Sequence, residues 1–296
     1  MAADPTQSPW VRAVPALFVL LWSTGFLGAK LGLPYAEPLT FLSIRMLIAS
    51  ALLLAFALLT QATWPRSWRS AGHIAVAGLL VHALYLGGVF SAIQRGLPAG
   101  VAALIVGTQP LLTGALASVW LKERLRLQQW LGLLLGFAGV FMVVYDKMGG
   151  GVTNATEILL CLGALLGITL GTLYQKRFCS GMDLRTGGVI QYAATAAAMG
   201  VGALALEERT VIWSGQFVFA LTWLVLVLSV GAVGLLYTLI RLGEASRVAS
   251  LFYLTPPVVA IFSFLLFDER LGPLAMVGMA VVTAGVALVN ITPVRR

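Results

Sequence analysis

Ten apolar stretches follow one another along this 296-residue chain, at 11–33, 40–60, 71–93, 98–121, 128–145, 155–175, 186–206, 217–240, 246–267 and 272–292. A helix that crosses a bilayer needs about 20 predominantly apolar residues, so each stretch is a candidate span. The longest polar intervals, such as 61–70 and 207–216, hold about ten residues and leave no room for a separate soluble domain. Only 10% of the residues are charged and the mean hydropathy is +0.95. A soluble domain carries roughly a quarter charged residues, so lipid must cover much of this surface. The expectation is an all-α membrane protein, a single bundle of ten transmembrane helices. The first apolar run is long and lacks a small-residue cleavage site, which reads as a retained helix rather than a signal peptide.

The net charge of +8 does not form one basic face, which argues against nucleic acid. It reports orientation instead. Thirteen of the 19 lysines and arginines fall at the chain ends and in alternate loops that share one side. Five (Lys30, Arg95, Lys147, Arg209 and Arg270) fall on the other, and Arg45 lies inside the second span. Basic residues mark the cytoplasmic side, so both termini are expected in the cytoplasm, as an even number of spans requires. Trp64, Trp68, Trp120, Trp130 and Trp213 sit at span ends, where indoles favour the headgroup level. Cys161 and Cys179 suggest neither a disulfide framework nor a metal site.

The chain also overlays on itself at a constant offset of 146 residues, 99–144 matching 245–290 without a gap. Ala99 pairs with Ala245, Pro110 with Pro256, Glu123-Arg124-Leu125 with Glu269-Arg270-Leu271, Gly132 with Gly278 and Gly139 with Gly285. The same offset pairs Gly25 with Gly171, Lys30 with Lys176 and Thr40 with Thr186. The repeats are therefore expected at 1–146 and 147–296. Five spans is an odd number, so the second copy inserts upside down, the inverted repeat that secondary transporters use for alternating access.

These residues resemble the drug/metabolite transporter superfamily, in its ten-helix branch with two EamA-type repeats. The resemblance covers almost the whole chain. It rests on LWSTGFLGAK at 21–30, Arg45, a proline midway along spans four and nine, the Glu-Arg-Leu after each, and the G-x6-G-V of spans five and ten. It implies a bacterial inner-membrane exporter of amino acids, often aromatic, or of other small metabolites. The second half departs from that pattern at two places: Ile168 stands where the first copy has Trp22, and Gln191 where it has Arg45.

A proline inside a helix removes a backbone hydrogen bond. At membrane depth this is tolerated where protein or a cavity satisfies the freed groups. Breaks at matching positions of two repeats point to a midplane binding site, so Pro110, Pro256 and Pro257 are the expected kinks. The polar neighbours Thr108, Gln109 and Thr255 join the candidate substrate-binding set. With them stand Trp22 and Ser23 of span one, His82 and Tyr85 of span three, and Tyr174, Tyr237 and Tyr253. Gly25, Gly28, Gly32, Gly163, Gly167 and Gly171 mark close helix packing.

No carboxylate falls in the middle third of a span, whereas proton- and cation-coupled carriers keep an ionisable relay there. His82 is the one mid-depth titratable candidate. The expected mechanism is therefore uncoupled export of a net-neutral solute, with no cofactor, no metal and no enzymatic activity, in a monomer or weak oligomer. Proton-coupled export of another metabolite or drug, or carriage of a nucleotide sugar, stays as the alternative. Arg45 and Lys30 lie near enough to the outer surface to snorkel; Arg45 alternatively lines an outer vestibule and meets a carboxylate. No His-Glu-x-x-His or Gly-x-Ser-x-Gly is present for an intramembrane enzyme.

Overall fold

The computed structural model describes residues 9–120, 127–149, 154–232, 235 and 254–290. They form helices almost throughout. In chain order these are α1 (Pro9–Gly32), α2 (Pro38–Leu59), α3 (Trp68–Gly78), α4 (Tyr85–Gln94), α5 (Ala99–Gly107), α6 (Gln109–Trp120), α7 (Leu127–Gly149), α8 (Ala155–Phe178), α9 (Leu184–Leu206), α10 (Gly215–Thr222), α11 (Thr255–Phe267) and α12 (Pro273–Asn290). A π-helical segment, Leu79–Leu84, joins α3 to α4 as one span, and a second, Trp223–Ala232, continues α10. Six spans are long and apolar enough to cross a membrane, and four shorter apolar helices occupy the remaining expected positions. The only extended pairing among the described residues is an isolated bridge between Ala36 and Val211.

Local signals set the helix starts. Ser67, Asp183 and Ser214 accept backbone N–H bonds from the first turns of α3, α9 and α10, which satisfies donors that have no partner within the helix. Glu157 reaches back to the Asn154 N–H at 2.6 Å ahead of α8. The α2 N-terminus is held from across the molecule: Glu207 accepts from the Leu39 and Thr40 N–H groups at 2.7 and 2.8 Å.

The two copies are related by a twofold axis that can be read from individual contacts. Ser43 on α2 donates to the Ala196 carbonyl on α9 at 3.1 Å, and Ser50 donates to the Val189 carbonyl at 3.1 Å. Shifting one pair by the repeat offset and exchanging its members gives the other. Along α7 and α12 a Cβ on Gly139 would sit 2.5 Å from the Gly278 carbonyl oxygen, and one on Gly285 would sit 2.6 Å from that of Gly132. In both pairs of helices the residue numbers rise on one helix as they fall on its partner. Equivalent helices therefore run antiparallel, as an inverted repeat demands. Without a hydrophobic drive between helices in lipid, small residues allow this backbone approach. Gly28 of α1 packs on Leu224, while Gly167 and Gly171 of α8 pack on Leu80, Val81 and Leu84. Each of these glycine-bearing helices thus lies against the π-helical span of the other copy.

Candidate functional site

The fourth span is broken where its sequence predicts. The helix stops at Gly107 and restarts at Gln109, with Thr108 turning its hydroxyl onto the Ile105 carbonyl at 2.6 Å. In the second copy α11 begins at Thr255, directly before Pro256 and Pro257. The two breaks meet: a Cβ on Gly107 would lie 2.9 Å from Pro256 Cγ. Both π-helical segments lie at matching repeat positions, and each widens its span beside the same space. The first carries His82 and the second carries Ser229. π-turns inside longer helices recur at functional sites.

Between these elements lies a cavity of about 640 Å³, lined by Trp22, Phe26, His82, Tyr85, Gln109, Pro110, Ile168, Thr172, Gln191, Tyr192, Ser229 and Thr255 among others. It extends past Leu53, Phe56, Gln175, Met182 and Arg185 towards one end of the bundle. In the opposite direction it continues into a smaller recess of about 110 Å³, where Arg45, Met46, Val89, Phe90 and Leu228 join the shared wall. Beyond the recess the described residues pack together and close this end. Phe41 packs on Phe90 and Phe217 with ring centroids 5.6 and 5.1 Å apart, and Tyr35 donates to Gln216 at 2.6 Å. Lys30 is paired with Glu269, which also accepts the Ala99 N–H at 3.1 Å and so caps α5.

The EamA-like transporter family matches this chain twice, over residues 13–145 and 155–291. The chain belongs to that family. It is 30% identical over 283 residues to the uncharacterized transporter YvbV of Bacillus subtilis, covering 93% of this chain and 90% of the relative. It is 28% identical to the uncharacterized inner membrane transporter YedA of Escherichia coli, covering 96% and 91%. The "probable amino-acid metabolite efflux pump" of Escherichia coli is 25% identical, with 91% of each chain covered. A solved crystal structure with 18% identity shares the fold, with a TM-score of 0.66 over 97% of this chain and 99% of that one.

In this EamA-like transporter the cavity collects Trp22, His82, Tyr85, Gln109, Pro110 and Thr255 from the sequence-predicted set. Gln109 donates to Thr172 at 3.4 Å, and the His82 ring meets Tyr192 edge-on at 4.9 Å. Thr255 is buried and its hydroxyl has no hydrogen-bond partner among the described residues. Pro256 is buried against the break in the fourth span, and Pro257 is partly covered. Ser23 turns away from the cavity and donates to the Val19 carbonyl at 2.7 Å. Thr108 is buried at the break. Tyr174 shares a 2.7 Å hydrogen bond with His73 and packs on Phe178, outside the cavity lining. Tyr237 and Tyr253 lie outside the described residues.

The sequence does not single out Gln191, Tyr192 and Ser229 for the site, and it leaves Arg45 either snorkelling to the outer surface or lining an outer vestibule. The structure rules out the first of these: Arg45 is 7% exposed and lines the recess. It does not snorkel, because its position on α2 faces α9 and the π-helical part of the eighth span rather than lipid. The repeat offset carried a usable signal. It pairs Arg45 with Gln191 and Trp22 with Ile168, and all four line this space.

Proposed function

We propose that this transporter exports small metabolites of no net charge, amino acids including aromatic ones foremost, across the bacterial inner membrane by alternating access. The single observation that carries this reading is the cavity itself. Its volume lies in the usual range for small-molecule sites, about 300–1,000 Å³, and its wall combines Trp22, Tyr85 and Tyr192 with the polar Gln109, Gln191 and Thr255. Aromatic rings suit an apolar or aromatic side chain, and the amides and hydroxyls suit its polar end. The name of the Escherichia coli efflux pump supports the same solute class.

With the basic-rich loops and both termini cytoplasmic, the cavity opens inward and the Lys30–Glu269 end faces out. The two halves, 1–146 and 147–296, would then rock against each other to reverse this opening. Transport runs down the substrate gradient without ion coupling, because no aspartate or glutamate is among the described residues that line the cavity and coupled carriers keep such a relay at membrane depth.

The test is uptake of labelled phenylalanine, tryptophan and threonine by proteoliposomes, with and without an imposed pH gradient. Equal uptake in both conditions is expected. Strict dependence on the gradient would overturn uncoupled export and bring His82 forward as the relay.

A further inference from the structure

Among the described residues Arg45 is the one lysine or arginine that lines the recess, and its environment is incomplete. The residue is 7% exposed. Nη2 donates to the Ser229 hydroxyl at 3.4 Å, and Nε has no hydrogen-bond partner among the described residues. The Ser229 hydroxyl donates its own hydrogen bond to the Leu224 carbonyl at 3.2 Å, leaving its lone pairs as the weak acceptor that Arg45 uses. The phenols of Tyr85 and Tyr192 border the guanidinium without neutralising it. Among the described residues no carboxylate lies within ion-pair distance.

A guanidinium presents five N–H donors in a fixed fork, and burying a charge without a counterion costs several kcal/mol. Such a group is stable here if a partner arrives with the cargo. The recess beside it holds about 110 Å³, room enough for a carboxylate, since one water needs only about 10–15 Å³ on this measure. Behind the recess stands the larger aromatic chamber.

We propose that Arg45 is the anchor for a substrate carboxylate, so that the cargo is an organic acid or amino acid. Its carboxylate docks in the recess against Arg45 and Ser229, and its side chain points into the aromatic chamber. A carboxylate can accept two parallel N–H bonds from the guanidinium fork. The ammonium group of an amino acid would find the ring faces of Trp22, Tyr85 and Tyr192, which attract cations. This rests on the chamber being the transport site, as proposed above, but not on the solute being an amino acid.

The experiment is calorimetric titration of the purified full chain in detergent with phenylalanine, 3-phenylpropionate and phenylalaninamide. These share a ring and differ in carboxylate and amine. At least one of the two carboxylates is expected to bind about 30-fold or more tightly than the amide, the lower end of what a buried charged hydrogen bond is worth. In Arg45→Gln that ratio should collapse to within about twofold, while Arg45→Lys keeps part of it. Binding of phenylalanine and its amide with equal affinity, and of 3-phenylpropionate no more tightly, overturns the anchor and leaves the amino-acid reading standing. Binding of 3-phenylpropionate without phenylalanine supports the anchor and overturns the amino-acid reading. Failure of both carboxylates to bind overturns the anchor. The wild-type series decides the matter even if an Arg45 variant does not fold.

Discussion

Lys30, at the end of α1, is paired with Glu269 in the turn between α11 and α12, and that carboxylate also accepts the first backbone N–H of α5. One residue thereby ties three elements together at the closed end, with Phe267 under the Lys30 ammonium at 4.6 Å. The repeat offset maps this pair onto Lys176 and Glu123 at the opposite end. Lys176 is exposed, and Glu123 lies outside the described residues. An ion pair on one side that alternates with its counterpart on the other is what inverted repeats predict for a carrier. Glu269→Gln should loosen the closed end by about 1 kcal/mol, the scale of a partly exposed ion pair with a helix cap. A cysteine at Val89, with Cys161 and Cys179 replaced, should then react several-fold faster with an impermeant maleimide added from the Lys30 side. The exchange Lys30→Glu with Glu269→Lys should restore slow labelling, and an unchanged rate in Glu269→Gln would remove this pair as a closure.

The α7–α12 contact gives a stability test. A methyl group on Gly139 or Gly285 would press first on a carbonyl oxygen and a backbone nitrogen of the facing helix, with a side-chain carbon beside them. Relief therefore needs the backbones to separate. Gly139→Ala and Gly285→Ala should each lower stability by about 1–3 kcal/mol, the usual cost of overpacking, read as a fall in the thermal unfolding midpoint. Gly163→Ala meets open space and should leave the midpoint within about a degree.

Much of the bundle is legible in the sequence because lipid imposes a simple rule: every span must be apolar for its length. The repeat is legible because Pro110, Glu123 and Gly139 recur at one offset against a background of Leu and Ala. The site is less so. Ser23 and Trp22 are neighbours, yet one bonds its own helix and the other faces the cavity, a rotation of about 100° per residue that composition does not phase when every face is apolar. Arg45 misleads for a related reason. A basic residue about ten ångströms inside a span can snorkel or point inward, and only packing against α9 and Ser229 decides. The π-helical turns leave no pattern in the residues themselves, so the positions of His82 and Ser229 emerge only in three dimensions.

Outside the membrane, Asp183 links a cap to a pH effect. It accepts the Arg185 backbone N–H at 2.9 Å and its guanidinium at 2.6 Å, and the hydrogen bond from that side chain holds the carboxyl down to about 2. A carboxyl depressed in the folded state stabilises it above the ordinary carboxylate range and loses this contribution as the pH falls through its lowered value. Asp183→Asn should therefore cost no more than about 1 kcal/mol near neutral pH, from the lost charge rather than the cap, because Asn caps a helix about as well as Asp and the pair with the partly exposed Arg185 is screened. The difference in unfolding midpoint between wild type and variant should hold steady down to about pH 4 and narrow towards pH 2. A difference that stays constant across that interval would show that the Asp183 charge contributes nothing.

The cavity predicts a ranking among three substitutions that the sequence alone would treat alike. Trp22 lines both the smaller recess and the main chamber, so Trp22→Ala removes the ring from the junction between them. Buried aromatic anchors commonly carry 2 kcal/mol or more of binding energy, and the initial rate of uptake at low substrate should fall by about tenfold or more. Gln109 lines the chamber at the break in the fourth span and makes a single long hydrogen bond, to Thr172. Gln109→Ala should cost roughly threefold, in line with one neutral hydrogen bond. Ser23 is fully buried and its hydroxyl is spent on the Val19 carbonyl of its own helix. Ser23→Ala should therefore transport at close to the wild-type rate. All three should insert normally and elute as monodisperse protein, so that the comparison reads transport rather than folding. Equal rates in Trp22→Ala, Gln109→Ala and wild type would take both residues out of the substrate path and move the site away from this cavity.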